Sequence, residues 1–176
     1  MASQTPGALF GKLCLVTGAT SGIGLALASA LAARGARVVG VGRSPERVAK
    51  AELAVRAAAP GGDFRCDLLD LSSLKAVVQY ARSFRDRESQ PLDVLVNCAG
   101  FYSDRRRYSA DGYEMQFAVN HLAAFALTKG LAGGLAGAAL GRAVAVAYHA
   151  HSSSGMGCKR IAAALRGAIR RRPCVG

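Results

Sequence analysis

No acidic residue follows Glu114 in this 176-residue chain, although eight basic ones do. The net charge of +12 therefore falls in two parts: 15 basic and 11 acidic residues through Glu114 leave +4, and the remaining 8 basic residues add +8. The last segment, CKRIAAALRGAIRRR, has the charge to attract nucleic acid or an anionic surface. No aromatic residue accompanies its arginines, so it reads as a solvated basic helix face, and nucleic acid is not an expected partner.

Other absences exclude whole classes. There is no run of eighteen apolar residues, hence no expected transmembrane segment. The start, MASQTPGALFGK, lacks the basic opening and apolar core of a secretory signal. The five cysteines, Cys14, Cys66, Cys98, Cys158 and Cys174, include no Cys-x-x-Cys pair, which argues against zinc or dithiol chemistry. They read as buried thiols of a cytoplasmic protein. His121, His149 and His151 have no carboxylate cluster beside them, so no metal is expected.

What is present is apolar and periodic. A hydrophobic content of 51% and a mean hydropathy of +0.21 predict one folded domain. Short β-branched runs alternate with Ala/Leu-rich segments, as in parallel strands joined by crossover helices. KLCLV, ARVVGVG, DFRCDL, LDVLVN and GRAVAVAY are the five strands expected. IGLALASALAARG is a helix stopped by Gly35; Ser44 caps PERVAKAELAVRAAA, with Pro45 at its first position; Ser72 or Ser73 caps SSLKAVVQYARSFRDR. A polar loop, FYSDRRRYSADG, then precedes a long helical stretch from about Tyr113 to Leu135. The fold class expected is α/β, a three-layer Rossmann fold with a parallel sheet over residues 1–148, followed by a divergent basic tail at 149–176.

Gly18, Gly22 and Gly24 lie between the first strand and first helix, where the chain must turn sharply, approach a pyrophosphate and aim helix N–H groups at it. With TGATSGIG in that position, CDLLDLSS at the third strand, NCAG after the fourth and DGYEMQFAVNHLAAF beyond, the chain resembles the short-chain dehydrogenase/reductase family, in its retinol-dehydrogenase-like branch. The likeness runs from about Gly11 to about Ala147. It implies that Gly18, Ser21, Gly22, Ile23 and Gly24 line the pyrophosphate and adenosine ribose. It implies further that Asp67 and Leu68 hold the adenine, that Asn97, Ala99 and Gly100 flank the cofactor, and that Asn120 belongs to the active site, where the family uses it to hold a water. The alternative for Asn120 is a helix-kinking residue that supports the fourth strand.

Cofactor choice follows from charge. An acid after the second strand would accept a ribose 2′-OH and repel a 2′-phosphate; here the strand ends VGVGRSPER, with Arg43 first and Arg47 near. NADP(H) is expected over NAD(H). The resemblance also implies a catalytic serine after the fifth strand and a Tyr-x-x-x-Lys pair, the lysine lowering the phenol's pKa for proton exchange. Tyr148 stands where the serine is expected, Ser152 is a weak substitute, and none of Tyr80, Tyr102, Tyr108, Tyr113 and Tyr148 has a lysine four residues on.

The function expected is therefore NADP(H)-dependent alcohol/carbonyl oxidoreduction on an apolar substrate, with an incomplete catalytic site. The alternative is a non-catalytic NADP(H)-binding or regulatory protein. The family's last strands are expected to be missing, which makes GRAVAVAY an apolar edge open to homo-oligomeric pairing.

Overall fold

The fold, obtained as a computed structural model, describes residues 8–147, and the architecture below lies in the unit Met1–Val146. Five parallel strands form one sheet: β1 (Leu13–Thr17), β2 (Arg37–Gly42), β3 (Phe64–Leu68), β4 (Val94–Asn97) and β5 (Arg142–Ala145), in the order β3-β2-β1-β4-β5. The crossover helices are α1 (Gly22–Ala33), α2 (Pro45–Ala58) and α3 (Leu74–Arg87). After β4 come α4 (Met115–Phe117), a π turn over Ala118–Leu122, α5 (Ala123–Gly130) and α6 (Ala132–Gly137).

Central β1 is buried along its whole length, as a parallel strand must be when helices cover both faces of its sheet. Its alternate side chains feed two cores. Leu13 and Leu15 join Val39, Leu95, Val77, Phe84 and Leu127 beneath α3 and α5. Cys14 and Val16 join Val38, Ala28, Ala32 and Val55 beneath α1 and α2. The three layers follow from this alternation.

Both expected caps form: Ser44 Oγ accepts from Arg47 N and Ser73 Oγ accepts from Ala76 N. The long helix from Tyr113 to Leu135 does not. It starts at Met115, after Glu114 takes the Gln116 and Phe117 N–H groups on its carboxylate, and widens into the π turn around Asn120. At Leu131 the run breaks again, and the glycine-bearing α6 begins. A helix-period pattern cannot show these interruptions, because tertiary bonds to the loop after β4 set the first of them.

As the sequence implied, β5 is the last strand in the order, and among the described residues its outer side is unpaired. Val144 and Val146 are each 43% exposed there. At the opposite edge Glu88, nearly buried, receives Arg65 and lies 3.1 Å from Arg37 Nη2.

Buried thiols give this core a pH signature. Burial pushes Cys14 up to about 11, with Asp93 raising it further, and Cys66 up to about 12, with Glu52 and Asp67 adding to the effect. Tyr80 is likewise raised by burial and by the Asp67 charge. In the unfolded chain these groups release their protons near pH 9 to 10, whereas the native state holds them, so unfolding is favoured as pH rises. Thermal scans should show stability flat below pH 9 and falling between pH 9 and 11, by about 1.4 kcal/mol per pH unit for each group that stays protonated only when folded.

Candidate functional site

The strand order brings the candidate residues together. From β1 the chain goes to β2 and β3 on one side, while β4 lies on the other, so the loops leaving β1 and β4 diverge from adjacent strand ends. Such a switch point opens a crevice at the carboxyl edge of a parallel sheet. Gly18, Ser21, Gly22, Ile23 and Gly24 sit in the β1–α1 turn, Arg43 just after β2, Asp67 and Leu68 at the end of β3, and Asn97, Ala99 and Gly100 at and after β4.

Close packing shapes the glycine turn. Gly18 has φ +70°, and a Cβ there would stand 2.9 Å from Ala99 Cα, so the turn lies directly against the chain leaving β4. A Cβ on Gly24 would fall 2.3 Å from Gly18 O, so α1 starts pressed onto the turn it leaves. Beside Gly22, by contrast, a Cβ would meet nothing within 4 Å. Backbone is tight on the protein side and open on the outer side.

Ser21 occupies the N-cap of α1 in extended geometry, yet its side chain caps nothing, and no acidic residue lies in the first turn. The leading N–H groups and the positive end of the helix dipole thus face the opening. Ile23, at 68% exposure, lies beside them.

Thr17 locks the two halves of the crevice. Its hydroxyl is buried, accepts from Cys98 N and Ala99 N, each at 3.0 Å, and donates to Val96 O at 3.4 Å. Asn97 donates from Nδ2 to Thr128 Oγ1 at 3.2 Å, which ties the end of β4 to α5. Asn120 is engaged at both ends: Oδ1 accepts from Phe101 N at 2.7 Å and Nδ2 donates to Phe101 O at 2.9 Å. These two bonds tie the π turn over Ala118–Leu122 to the loop after β4.

Asp67 is held by three protein partners. Its carboxylate accepts from Tyr80 Oη at 2.8 Å, Arg87 Nη2 at 3.1 Å and Arg65 Nε at 3.4 Å, which fastens β3 to α3. Leu68 beside it is 55% exposed. The exposed acid on the loop leaving β3 is Asp70, whose Oδ1 takes Ser72 N and Ser72 Oγ. Sequence reasoning passed over Asp70, although the helix cap at Ser73 marks it as the last acid before α3. Arg43 and Arg47 are exposed, and no acid stands between β2 and Arg43. Ser152 and Tyr148 lie outside the described residues, as does the basic tail. Among the described residues no three His, Cys, Asp or Glu side chains converge as a metal site, and no helix is long and apolar enough to cross a membrane.

The short chain dehydrogenase family model matches residues 12–163. The chain belongs to that family. It is 39% identical over 154 residues to retinol dehydrogenase 14 of Homo sapiens, a match covering 80% of this chain and 46% of that protein. Similarity to retinol dehydrogenase 12 of Bos taurus is 38% over 143 residues, covering 81% and 45%. The chain thus spans about half the length of the curated relatives it matches. Among solved structures, a metagenomic short-chain oxidoreductase in complex with NADP superposes with a TM-score of 0.76 at 28% identity, covering 92% of this chain and 79% of that one. The short-chain dehydrogenase framework, a Rossmann-like parallel sheet with alternating helices, accounts for the glycine turn, the buried β1 and the crevice between β1 and β4.

Proposed function

We propose that this chain binds NADP(H) as the nucleotide half of an alcohol/carbonyl oxidoreductase acting in the cytoplasm on an apolar substrate. The observation that carries the reading is the uncapped start of α1 facing open space beside Gly22, with Gly18 and Gly24 packed so closely that the backbone can approach a pyrophosphate. Ser21 and Ile23 would flank the phosphates and ribose, Arg43 would pair with the 2′-phosphate, and Asn97, Ala99 and Gly100 would line the far side. Leu68 and Asp70, rather than Asp67, would meet the adenine. When bound, the dinucleotide supplies hydride transfer. The protein's part would be to hold the dinucleotide at the carboxyl edge of the sheet through the residues named above and to fix the loop after β4 through Asn120.

A second reading, nucleotide binding without turnover, is favoured by the lack of any Tyr-x-x-x-Lys in the sequence. In either case the Rossmann domain would end near residue 148, with 149–176 a distinct basic segment, and the β5 edge, unpaired among the described residues, would be where a second chain pairs.

Calorimetric titration of the whole chain tests the reading. NADPH is expected to bind about 10 to 100 times more tightly than NADH, the contribution of one charge-assisted phosphate contact. Arg43→Ala should erase that preference while leaving NADH affinity unchanged. In the same titration Asp70→Ala is expected to weaken both cofactors about fivefold, whereas Asp67→Ala should lower thermal stability and leave affinity intact in the folded fraction. Equal affinity of the unaltered chain for both cofactors would overturn the NADP(H) reading. Absence of NADPH oxidation with an apolar aldehyde, despite binding, would select the non-catalytic one.

A further inference from the structure

The loop after β4 carries a pattern that dinucleotide binding does not use. Between Phe101 and Tyr113 the chain interleaves tyrosines with three consecutive arginines, FYSDRRRYSADGY, and almost all of it faces solvent. Tyr102 is 84% exposed and Tyr108 60%. Aromatic rings displayed this fully in a chain with 51% hydrophobic residues gain nothing from the core.

The loop is braced. Asn120 holds Phe101 at its start, Gln116 Nε2 donates to Ser103 O, and Ser103 Oγ donates to Arg105 O. At its far end Met115 N donates to Arg107 O and Ser109 N to Tyr113 O, and Tyr108 bridges Glu114 across the turn. Arg105, Arg106 and Arg107 therefore stand on a fixed crest.

The acids of the loop and its flank are Asp104, Asp111 and Glu114: Asp111 Oδ2 accepts from Leu74 N at 2.6 Å, and Glu114 takes Gln116 N and Phe117 N, so two of them are engaged at helix starts. Asp104 adjoins the three arginines and Glu114 feels the charge of Arg106, so the positive excess of the surface comes with Lys75 and Arg82 of the neighbouring α3. Next to the crest, a groove of about 530 Å³ runs between the loop and α3. Leu74, Val78 and Tyr113 give its apolar lining, Lys75 and Arg82 stand on its α3 wall, and Asp111 lines it from the loop side. Among the described residues none of these five cations is in an ion pair.

We propose that this crest and groove form a docking surface for an anionic lipid bilayer, with the arginines and Lys75 on phosphate headgroups and Tyr102, Tyr108 and Tyr113 at the headgroup level. Charge complementarity selects the anionic surface, since each basic residue near such a membrane contributes to attraction while amphipathic rings settle at its interface. The exposed tyrosines would suit stacked bases as well as a headgroup interface, and the aliphatic Leu74 and Val78 in the adjoining groove decide for lipid, because they match acyl chains and offer a base nothing to stack on. The surface borders the crevice through Gly100 and Phe101. On the reading of an apolar substrate, it would set the crevice mouth on the phase where such a substrate dissolves.

The chain contains no tryptophan, so Tyr102→Trp provides a single fluorescent reporter at the crest. The variant is mixed, without cofactor, with phosphatidylcholine vesicles that contain or lack phosphatidylserine. Blue-shifted emission and co-sedimentation are expected only with phosphatidylserine. Adding Arg105→Gln, Arg106→Gln and Arg107→Gln together should weaken this binding about 100-fold, while Arg170→Gln, Arg171→Gln and Arg172→Gln should leave the blue shift in place. Co-sedimentation without a blue shift would assign binding to the tail and overturn the proposal. So would equal binding to both vesicle types, or a blue shift produced by a single-stranded oligonucleotide and not by vesicles. Because no cofactor is present, these outcomes are independent of whether NADPH binds.

Discussion

Thr17→Val is expected to lower the unfolding free energy by about 2 to 5 kcal/mol and to abolish dinucleotide binding. Valine keeps the shape of threonine but not its oxygen, and that oxygen serves Cys98 N, Ala99 N and Val96 O in a buried setting. Each polar group stripped of a partner away from water costs about 1 to 3 kcal/mol. The affected N–H groups belong to the stretch that carries Ala99 and Gly100, so the loop would relax away from Gly18. Urea titration gives the stability, and calorimetry with NADPH gives the binding. Thr17→Ser retains the oxygen and should cost about 1 kcal/mol, mainly for the lost methyl. Equal behaviour of the two variants would show that the hydroxyl does not hold the crevice.

Gly24→Ala should be nearly as damaging, for a steric reason. The added carbon would lie 2.3 Å from Gly18 O and 2.8 Å from Gly18 C, backbone atoms that have no rotamer to retreat into. Alanine is ordinarily the better helix former by up to about 1 kcal/mol, so local propensity predicts a gain and packing predicts a loss. Overpacking against backbone dominates: α1 must lift from the turn, stability should fall by about 3 kcal/mol, and NADPH affinity should fall at least 100-fold as the helix N-terminus moves. Gly133→Ala is the control, since a Cβ there meets nothing within 4 Å and the residue lies in α6. That variant should melt at or slightly above the temperature of the unaltered chain.

These two sites also mark what could be read from residues alone. Gly24 was legible, because a glycine-rich turn between a buried strand and a helix has few other physical explanations. So were the five strands, four of them apolar runs and the third, DFRCDL, read from its place between two helices, and the caps at Ser44 and Ser73. Thr17 was not: nothing local tells a strand-end threonine that its hydroxyl will meet backbone some eighty positions later. Asp67 and Asp70 differ by three residues in CDLLDLSS, and only the arrival of Tyr80 and Arg87 on α3 decides that the first is a structural tie. The interrupted helix after Glu114 failed for the same cause, since the bonds between Asn120 and Phe101 join segments whose sequences carry no mark of each other.

The strand order has a consequence for how the crevice comes into being. Strands β1, β2 and β3 are consecutive in the chain and adjacent in the sheet, so the glycine turn, α1 and α2 can assemble from a contiguous stretch that ends at Leu68. The other wall must wait. β4 inserts on the far side of β1, and the Thr17 contacts that fix it span 79 to 82 positions, a closure of the slow, non-local kind. A molecule in which β4 has not yet docked would present the open N–H groups of α1 with no opposing wall, so the pocket is complete only once the fourth strand is in place.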